Sequence, residues 1–247
     1  MQPKRIRVRK PDQNKNKYIG AGKATKTGAF ASICGVSLLR LWHLRPDQFR
    51  TLDNDFVQGV APTMKVLAIS GSARRNSTNT AMLEAIRQVA APRFDIRVFH
   101  GIAELPVFSP DLEGEATPRI VRDFMGAIDA SDGLIVSSPE YVRTIPGGLK
   151  NAIDWLVSAE VIVNKPVVLA HASHRGDDML ATLRIVMSTV TSNFNGEIFL
   201  RFPLMKETPE AIRQIVGRAE NRSRVDTFLK EFSEFCQSVR ADSLGQS

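Results

Sequence analysis

The sequence predicts an α/β fold of three layers, with helices on both faces of a five-stranded parallel sheet. Two observations from residue 64 onward carry this prediction: short β-branched apolar runs, and segments of helical period between them. Five runs have the length of strands: 65–70, 94–100, 133–138, 166–172 and 196–202. Regular alternation of strands and helices is typical of parallel sheets, because each chain segment must cross back before the next strand begins.

The segments between the runs repeat apolar residues every three or four positions, which predicts helices. Thr117-Pro118 is expected to supply an N-cap residue and a first helical residue, and Pro146 lies where a first-turn proline is tolerated. A last amphipathic segment closes the domain. The apolar positions are Met82, Ile86 and Val89; Ile120, Val121, Phe124, Ala127 and Ile128; Leu149, Ala152, Ile153 and Leu156; Met179, Leu180, Leu183, Val186, Met187 and Val190; and Val225, Phe228, Leu229, Phe232, Phe235 and Val239.

The positive charge of the chain is concentrated at one end. Of its 247 residues and net charge of +7, residues 1–63 hold 12 Lys and Arg against four Asp, which is +8 and leaves −1 for residues 64–247. We therefore expect a basic, disordered extension over 1–63 and one folded domain over 64–247. A start assigned too early, with Met64 as the natural first residue, is the favoured explanation. An organelle-targeting segment is the alternative.

The two cysteines, Cys34 and Cys236, have no spacing typical of a disulfide framework or a metal site. The longest apolar stretch, 29–39, is too short to span a bilayer. A cytoplasmic protein without a metal is expected. Because the domain is nearly neutral, nucleic acid is not an expected partner of it, and only the basic extension could bind a polyanion or an anionic membrane.

The loop after the first strand, SGSARRNSTNTAML, is rich in small hydroxyl and amide residues and opens a helix. Unpaired N–H groups at a helix start favour an anion. Ser72, Ser77, Asn79 and Thr80 could donate further hydrogen bonds, and Arg74 could contact two phosphate oxygens. Since neither common di- or triphosphate motif is present, a monophosphate is predicted. An ordinary Ser/Asn-rich turn with an N-cap is the alternative.

The loop after the third strand begins SPEYVRTIPGG. In a flavodoxin-like sheet of order 2-1-3-4-5, the chain reverses direction between strands one and three and leaves a crevice beyond their carboxyl ends. The two polar loops would lie on either side of this crevice. Glu140 and Tyr141 could then offer backbone amides and an aromatic face to a planar ring.

Several nearby residues have simpler explanations. Lys150 and Asp154 are spaced as a surface ion pair. Trp155 could be a core residue, a subunit contact or a ligand contact. His171 and His174 lack the further ligands that a metal site needs, so we expect them to line the pocket as polar residues.

Together, GSARRNSTN and PEYVRTIPGGLKNAIDW closely resemble the NAD(P)H-dependent FMN reductase family, flavodoxin-like flavoproteins that include quinone, chromate and azo-dye reductases. The family patterns are GSxRxxSxN and PEYNxxxPGxLKNAIDW. The resemblance covers most of residues 64–195. It departs at Val142, where the family has Asn, and in the loop after strand four, HASHRGDDML, which is less rich in glycine.

The resemblance implies FMN as cofactor and NADPH or NADH as reductant. It places the FMN phosphate on the first loop and the isoalloxazine ring against the second and the third, and Arg143 or Arg175 would favour NADPH through its extra phosphate. The implied binding residues are Ser72, Arg74, Ser77, Asn79, Thr80, Pro139, Glu140, Tyr141, Val142, Ser173 and Gly176.

The function so implied is that of an oxidoreductase which passes a hydride from NAD(P)H to FMN and then electrons to a small acceptor, by a ping-pong mechanism. Free flavin, quinones, chromate and azo compounds are the candidate acceptors. No catalytic acid or base is expected, since the cofactor carries the chemistry. A homodimer or homotetramer is implied. The alternative is a flavodoxin-like, FMN-binding electron carrier that does not turn over NAD(P)H.

Overall fold

The computed structural model describes residues 63–74 and 76–245. It contains a five-stranded parallel sheet of order β2-β1-β3-β4-β5, which confirms the predicted flavodoxin-like topology. The strands are β1 Met64–Ser70, β2 Phe94–Phe99, β3 Gly133–Ser137, β4 Val167–His171 and β5 Phe194–Arg201. The predicted extension over 1–63 falls, apart from its last residue, outside the described part of the chain.

The predicted helices are present, together with two that the apolar pattern did not indicate. The helices are α1 Thr78–Ala90, α2 Arg119–Asp129, α3 Gly147–Asp154, α4 Glu160–Val163, α5 Asp177–Val190, α6 Pro209–Gly217 and α7 Ala219–Gly245. The unpredicted ones are α4, a single turn, and α6, which begins after a Thr208 cap that accepts a hydrogen bond from Ala211 N–H. None of the described helices is long and apolar enough to cross a membrane.

The start of α2 corrects one prediction by a single residue. Pro118, and not Thr117, is the N-cap residue, and the helix begins at Arg119. Thr117 instead closes a short 3-10 turn, since its N–H donates to the carbonyl of Gly114 at 3.2 Å.

Two apolar clusters cover the two faces of the sheet. One joins the strands to α1, α6 and α7, and the other joins them to α2, α3, α4 and α5. Strand β3 shows the alternation: Ile135 belongs to the first cluster, whereas Leu134 and Val136 belong to the second. Successive side chains of a strand point to opposite faces, so a fully buried strand produces a three-layer sandwich.

The parallel order brings three loops to the carboxyl edge of the sheet: the first loop (71–77), the second loop (138–146) and the third loop (172–176). Gly71 lets the first loop leave β1 close beside β3, where its N–H donates to the carbonyl of Ser137 at 2.7 Å. A Cβ atom at this position would lie 2.8 Å from Leu149 Cδ2. Only glycine fits this crossing without a shift of its neighbours.

Candidate functional site

A cavity of about 320 Å³ lies between the start of α1, the second loop and the third loop. Its volume is at the lower end of the range of roughly 300–1,000 Å³ seen for small-molecule sites. Four of the predicted site residues line it together: Asn79, Pro139, Glu140 and Ser173. The remaining lining residues are Thr78, His171, Ala172, Arg175 and Met205.

The first loop holds a group of unused hydrogen-bond donors. Ser77 is the N-cap of α1, and its hydroxyl accepts from the N–H of Thr80 at 3.4 Å; the buried Ser72 hydroxyl accepts from the N–H of Arg74 at 3.2 Å. The guanidinium of Arg74 is exposed and has no partner among the described residues. The main-chain N–H groups that find no acceptor in that part of the chain are those of Ser72, Ala73, Asn76, Ser77, Thr78 and Asn79.

Asn79 and Thr80 tie the start of α1 to the sheet. The buried Asn79 accepts a hydrogen bond from the hydroxyl of Ser137 on β3 at 2.8 Å. The hydroxyl of Thr80 lies 2.7 Å from that of Ser70 on β1. Thr80 is therefore placed against the strand, outside the lining of the cavity, while Asn79 reaches both.

The second loop is a tight hairpin. Tyr141 and Thr144 exchange two backbone hydrogen bonds, of 3.0 and 3.1 Å, around Val142 at φ 51° and Arg143 at φ 59°. Two positive φ angles are typical of a type I′ turn, which favours Asn and Gly. Val142 is 95% exposed and Tyr141 is 50% exposed, and neither residue lines the cavity. Arg143 is held by Asp178, with Nε 2.6 Å from Oδ2.

The third loop is shaped by side chains of two strands. Arg201, the last residue of β5, donates from Nε to the carbonyl of Ser173 at 2.7 Å and from Nη2 to that of Arg175 at 3.1 Å. Gly176 has φ 100°, and a Cβ atom there would lie 2.9 Å from Nε2 of His171. The turn thus depends on glycine for both its angle and its space.

His171 is a buried, neutral imidazole. Its Nε2 lies 2.6 Å from the carbonyl of Arg175, and since a carbonyl only accepts, Nε2 carries the proton. Its Nδ1 is buried without a partner among the described residues. Burial lowers the pKa of His171, and the nearby Arg201 guanidinium lowers it further, so the ring is neutral at pH 7.

The structure also places the residues for which sequence left alternatives. Trp155 is a core residue: it is 1% exposed, and its Nε1 donates to the carbonyl of Pro106 at 2.8 Å. Lys150 and Asp154 form the expected ion pair. Over the described ranges, no group of three or more His, Cys, Asp and Glu residues is arranged to hold a metal ion.

Sequence reasoning missed four residues of this region. Thr78 and Ala172 are neighbours of predicted residues, so adjacency was the available signal. Arg201 ends β5 and Met205 follows that strand. Only the position of this strand end beside β4 could have indicated the two residues.

A family model for NADPH-dependent FMN reductase matches residues 64–199. A quinone reductase of Escherichia coli (strain K12) is 31% identical over 113 residues, 44% of this chain and 60% of that protein. A 2-hydroxy-1,4-benzoquinone reductase of Burkholderia sp is 38% identical over 92 residues, 37% of this chain and 49% of that protein. The chain thus spans about half the length of these curated relatives, or slightly more.

Solved structures share the fold. FerB, a flavoenzyme NAD(P)H:(acceptor) oxidoreductase of Paracoccus denitrificans, is 22% identical with a TM-score of 0.53, over 72% of this chain and 98% of that one. An oxidoreductase of Corynebacterium diphtheriae is 21% identical with a TM-score of 0.51, over 71% of this chain and 98% of that one. At identities this low, the comparison shows only that these proteins share the fold of this chain.

Proposed function

Because this chain belongs to the NADPH-dependent FMN reductase family, we propose that it is an NAD(P)H-dependent FMN oxidoreductase that reduces a small acceptor by a ping-pong mechanism. The observation that carries this proposal is the group of main-chain N–H donors at the start of α1, unpaired within the described residues, beside a cavity walled by the second and third loops. Quinones are the first acceptors to test, since the relatives named above are quinone reductases.

The donor set of the first loop fits one phosphate group of FMN. The loop offers N–H groups, two buried serines and the exposed guanidinium of Arg74, and it contains no acidic residue. The α1 dipole adds positive potential at the same point. We assign the phosphate to Ser72, Arg74 and Ser77, with Asn79 joining that loop to the cavity.

The second and third loops would hold the isoalloxazine ring. When bound, FMN accepts a hydride and returns electrons to an acceptor, chemistry that no side chain supplies. Pro139, Glu140 and Ser173 would bind and orient the ring at the cavity, and Tyr141 and Val142, on the exposed hairpin outside the cavity lining, remain predicted contacts of the ring. The neutral His171 holds the third loop and keeps its proton on Nε2. No residue here needs to gain or lose a proton for the first hydride transfer.

We assign the preference for NADPH to Arg175. Of the two candidate cations, Arg143 is engaged by Asp178, whereas the guanidinium of Arg175 has no partner among the residues described and its residue lines the cavity. Arg175→Ala should lower the ratio of kcat/KM for NADPH to that for NADH about tenfold, the loss of one charge-assisted hydrogen bond. Arg143→Ala is the matched control. An unchanged ratio in both variants would overturn the assignment.

The proposed function is tested by absorption spectroscopy of the purified full chain, titrated with FMN and then with NADPH without oxygen. A bound-flavin spectrum that bleaches with NADPH and recovers on addition of a benzoquinone is the expected result. If FMN binds but NADPH does not bleach it, the electron carrier is the favoured function. If FMN does not bind, the assignment of the FMN site is wrong. Homodimer or homotetramer formation and a cytoplasmic location remain predictions, for sedimentation and cell imaging respectively.

A further inference from the structure

Arg201 makes three hydrogen bonds to the region of the third loop with one side chain. Besides the carbonyls of Ser173 and Arg175, it contacts Oδ1 of Asp177 from Nη1 at 2.9 Å. Asp177 is 79% exposed, and so this ion pair contributes little by itself. The two bonds to carbonyls, from a side chain only 30% exposed, are the ones that determine the shape of the loop.

The carbonyl directions determine where the loop presents its N–H groups. In a trans peptide the C=O and the following N–H point in opposite directions. With the carbonyls of Ser173 and Arg175 turned to Arg201, the N–H groups of His174 and Gly176 point away from it. Neither N–H has an acceptor among the described residues.

Two residues of the loop that Arg201 holds belong to the cavity wall. Ser173 and Arg175 line the cavity, whereas Arg201 does not. The loop therefore separates the guanidinium from the cavity.

Resting on the proposed function, we propose that Arg201 is a positioning residue of the flavin site, which holds the third loop so that Ser173 and Arg175 face the ring at the cavity. The loop has one glycine and would not keep this shape by backbone preference alone. His171 supports the same carbonyl of Arg175 from the other strand, so β4 and β5 hold the loop jointly.

The first test is the FMN dissociation constant of Arg201→Ala. We expect it to rise at least tenfold, and the rise for riboflavin should be of the same factor, because the loop contacts the ring and not the phosphate. Guanidinium ion at low concentration should restore affinity in Arg201→Ala. Arg201→Lys should restore it only in part, because an ammonium cannot reach two carbonyls as a planar fork.

Arg224→Ala is the matched control. Arg224 stacks on Phe202 and donates to the carbonyl of Arg201 at 2.7 Å, but it makes no bond to the third loop. We expect less than a twofold change in FMN affinity there, and likewise in Asp177→Asn. An equal loss in Arg224→Ala and Arg201→Ala, or no loss in Arg201→Ala, would overturn the inference.

A ligand-free readout separates this inference from the proposed function. In amide hydrogen exchange of the full chain, residues 173–176 should exchange faster in Arg201→Ala than in the wild type, with residues of α1 unchanged. Equal exchange in the two proteins would overturn the inference, whatever FMN does. A wild type with an ordered loop that does not bind FMN would instead overturn the proposed function, and with it the role of Arg201 toward the ring.

Discussion

The two edges of the sheet differ in how their polar groups are used. At the amino edge, a recess of about 700 Å³ lies between the strand starts and α7. Asp132 accepts from the N–H of Lys65 at 2.8 Å and pairs with Arg240, and Lys165 donates to the carbonyl of Ser131 at 2.8 Å. Burial, helped by Asp132, raises the pKa of Cys236 to about 12, so its thiol stays protonated.

The carboxyl edge has the smaller space and the unused groups. Its cavity is about 320 Å³, yet the N–H groups of the first loop and the guanidinium groups of Arg74 and Arg175 have no partners within the described residues. A larger recess in which Asp132, Lys165 and Arg240 already have partners offers a ligand fewer groups to bind. Unpaired donors, and not volume, thus distinguish the candidate site. Packing changes at the amino edge should affect stability and leave FMN affinity unchanged, whereas loss of an unpaired donor at the carboxyl edge should affect FMN affinity.

The largest effect is expected at the amino edge, for Gly133→Ala. The new Cβ would lie 2.7 Å from Phe232 Cζ and 2.8 Å from Cys236 Sγ, and overpacking of this kind lowers the free energy of unfolding by about 2 kcal/mol. Gly126→Ala is the control: its Cβ meets nothing within 4 Å, and the helix should gain up to about 1 kcal/mol. Urea titration measures both. Equal stability of the two variants would contradict the packing argument, and FMN affinity should be unchanged.

At the carboxyl edge, Arg74→Ala should weaken FMN binding about tenfold, the value of one charge-assisted hydrogen bond, without altering the melting temperature. Riboflavin, which has no phosphate, should bind this variant and the wild type equally. Fluorescence titration measures both affinities, with the exposed Arg97→Ala on β2 as control. A loss of the same size for riboflavin would show that Arg74 does not contact the phosphate.

Replacement of Val142 should make the carboxyl edge more stable. A β-branched residue at φ 51° is strained, and Asn is tolerated at that angle, so Val142→Asn should raise the free energy of unfolding by about 1 kcal/mol. Val107 is also largely exposed, at 82%, but has no such angle to relieve, so Val107→Asn serves as control. Should both variants gain equally, hydrophilicity and not backbone strain would be the cause.

The smallest effect is a pH dependence from His171. Its pKa is lowered in the folded chain, chiefly by burial and then by Arg201, while the carbonyls of Arg175 and Ser138 and the carboxylate of Asp177 act in the opposite direction. As pH falls through the ordinary value of 6.5, the unfolded chain takes up a proton that the folded chain does not. The contribution of His171 to stability should therefore be constant above about that pH and should decrease as the pH falls below it.

Melting temperatures between pH 5 and 8 measure this, with His171→Gln as the comparison. One proton allows a slope of at most about 1.4 kcal/mol per pH unit. Identical slopes in the variant and the wild type would mean that another group titrates.

Local patterns predicted much of the fold, and they indicated the residues of the first loop that we assign to the candidate site. All five strands follow from short β-branched apolar runs, and the long helices from an apolar period of 3.6; both patterns depend only on neighbouring residues. The donors of the first loop are contiguous with the start of α1, so Ser72, Arg74 and Ser77 could be named from sequence. The boundary at Thr117 shifted by one residue because the carbonyl of Pro118 accepts the first helical hydrogen bonds, from the N–H groups of Val121 and Arg122.

What remained hidden depended on residues far apart in the chain. Sequence by itself determined the alternation of strands and helices and the donor-rich first loop, because each arises within a few consecutive residues. Tertiary structure alone decided that Trp155 is a core residue, that Asp178 engages Arg143, and that Arg201 holds a loop 28 residues before it. The reason is that each of these roles depends on a contact between residues that are distant in the sequence and that only the folded chain brings together.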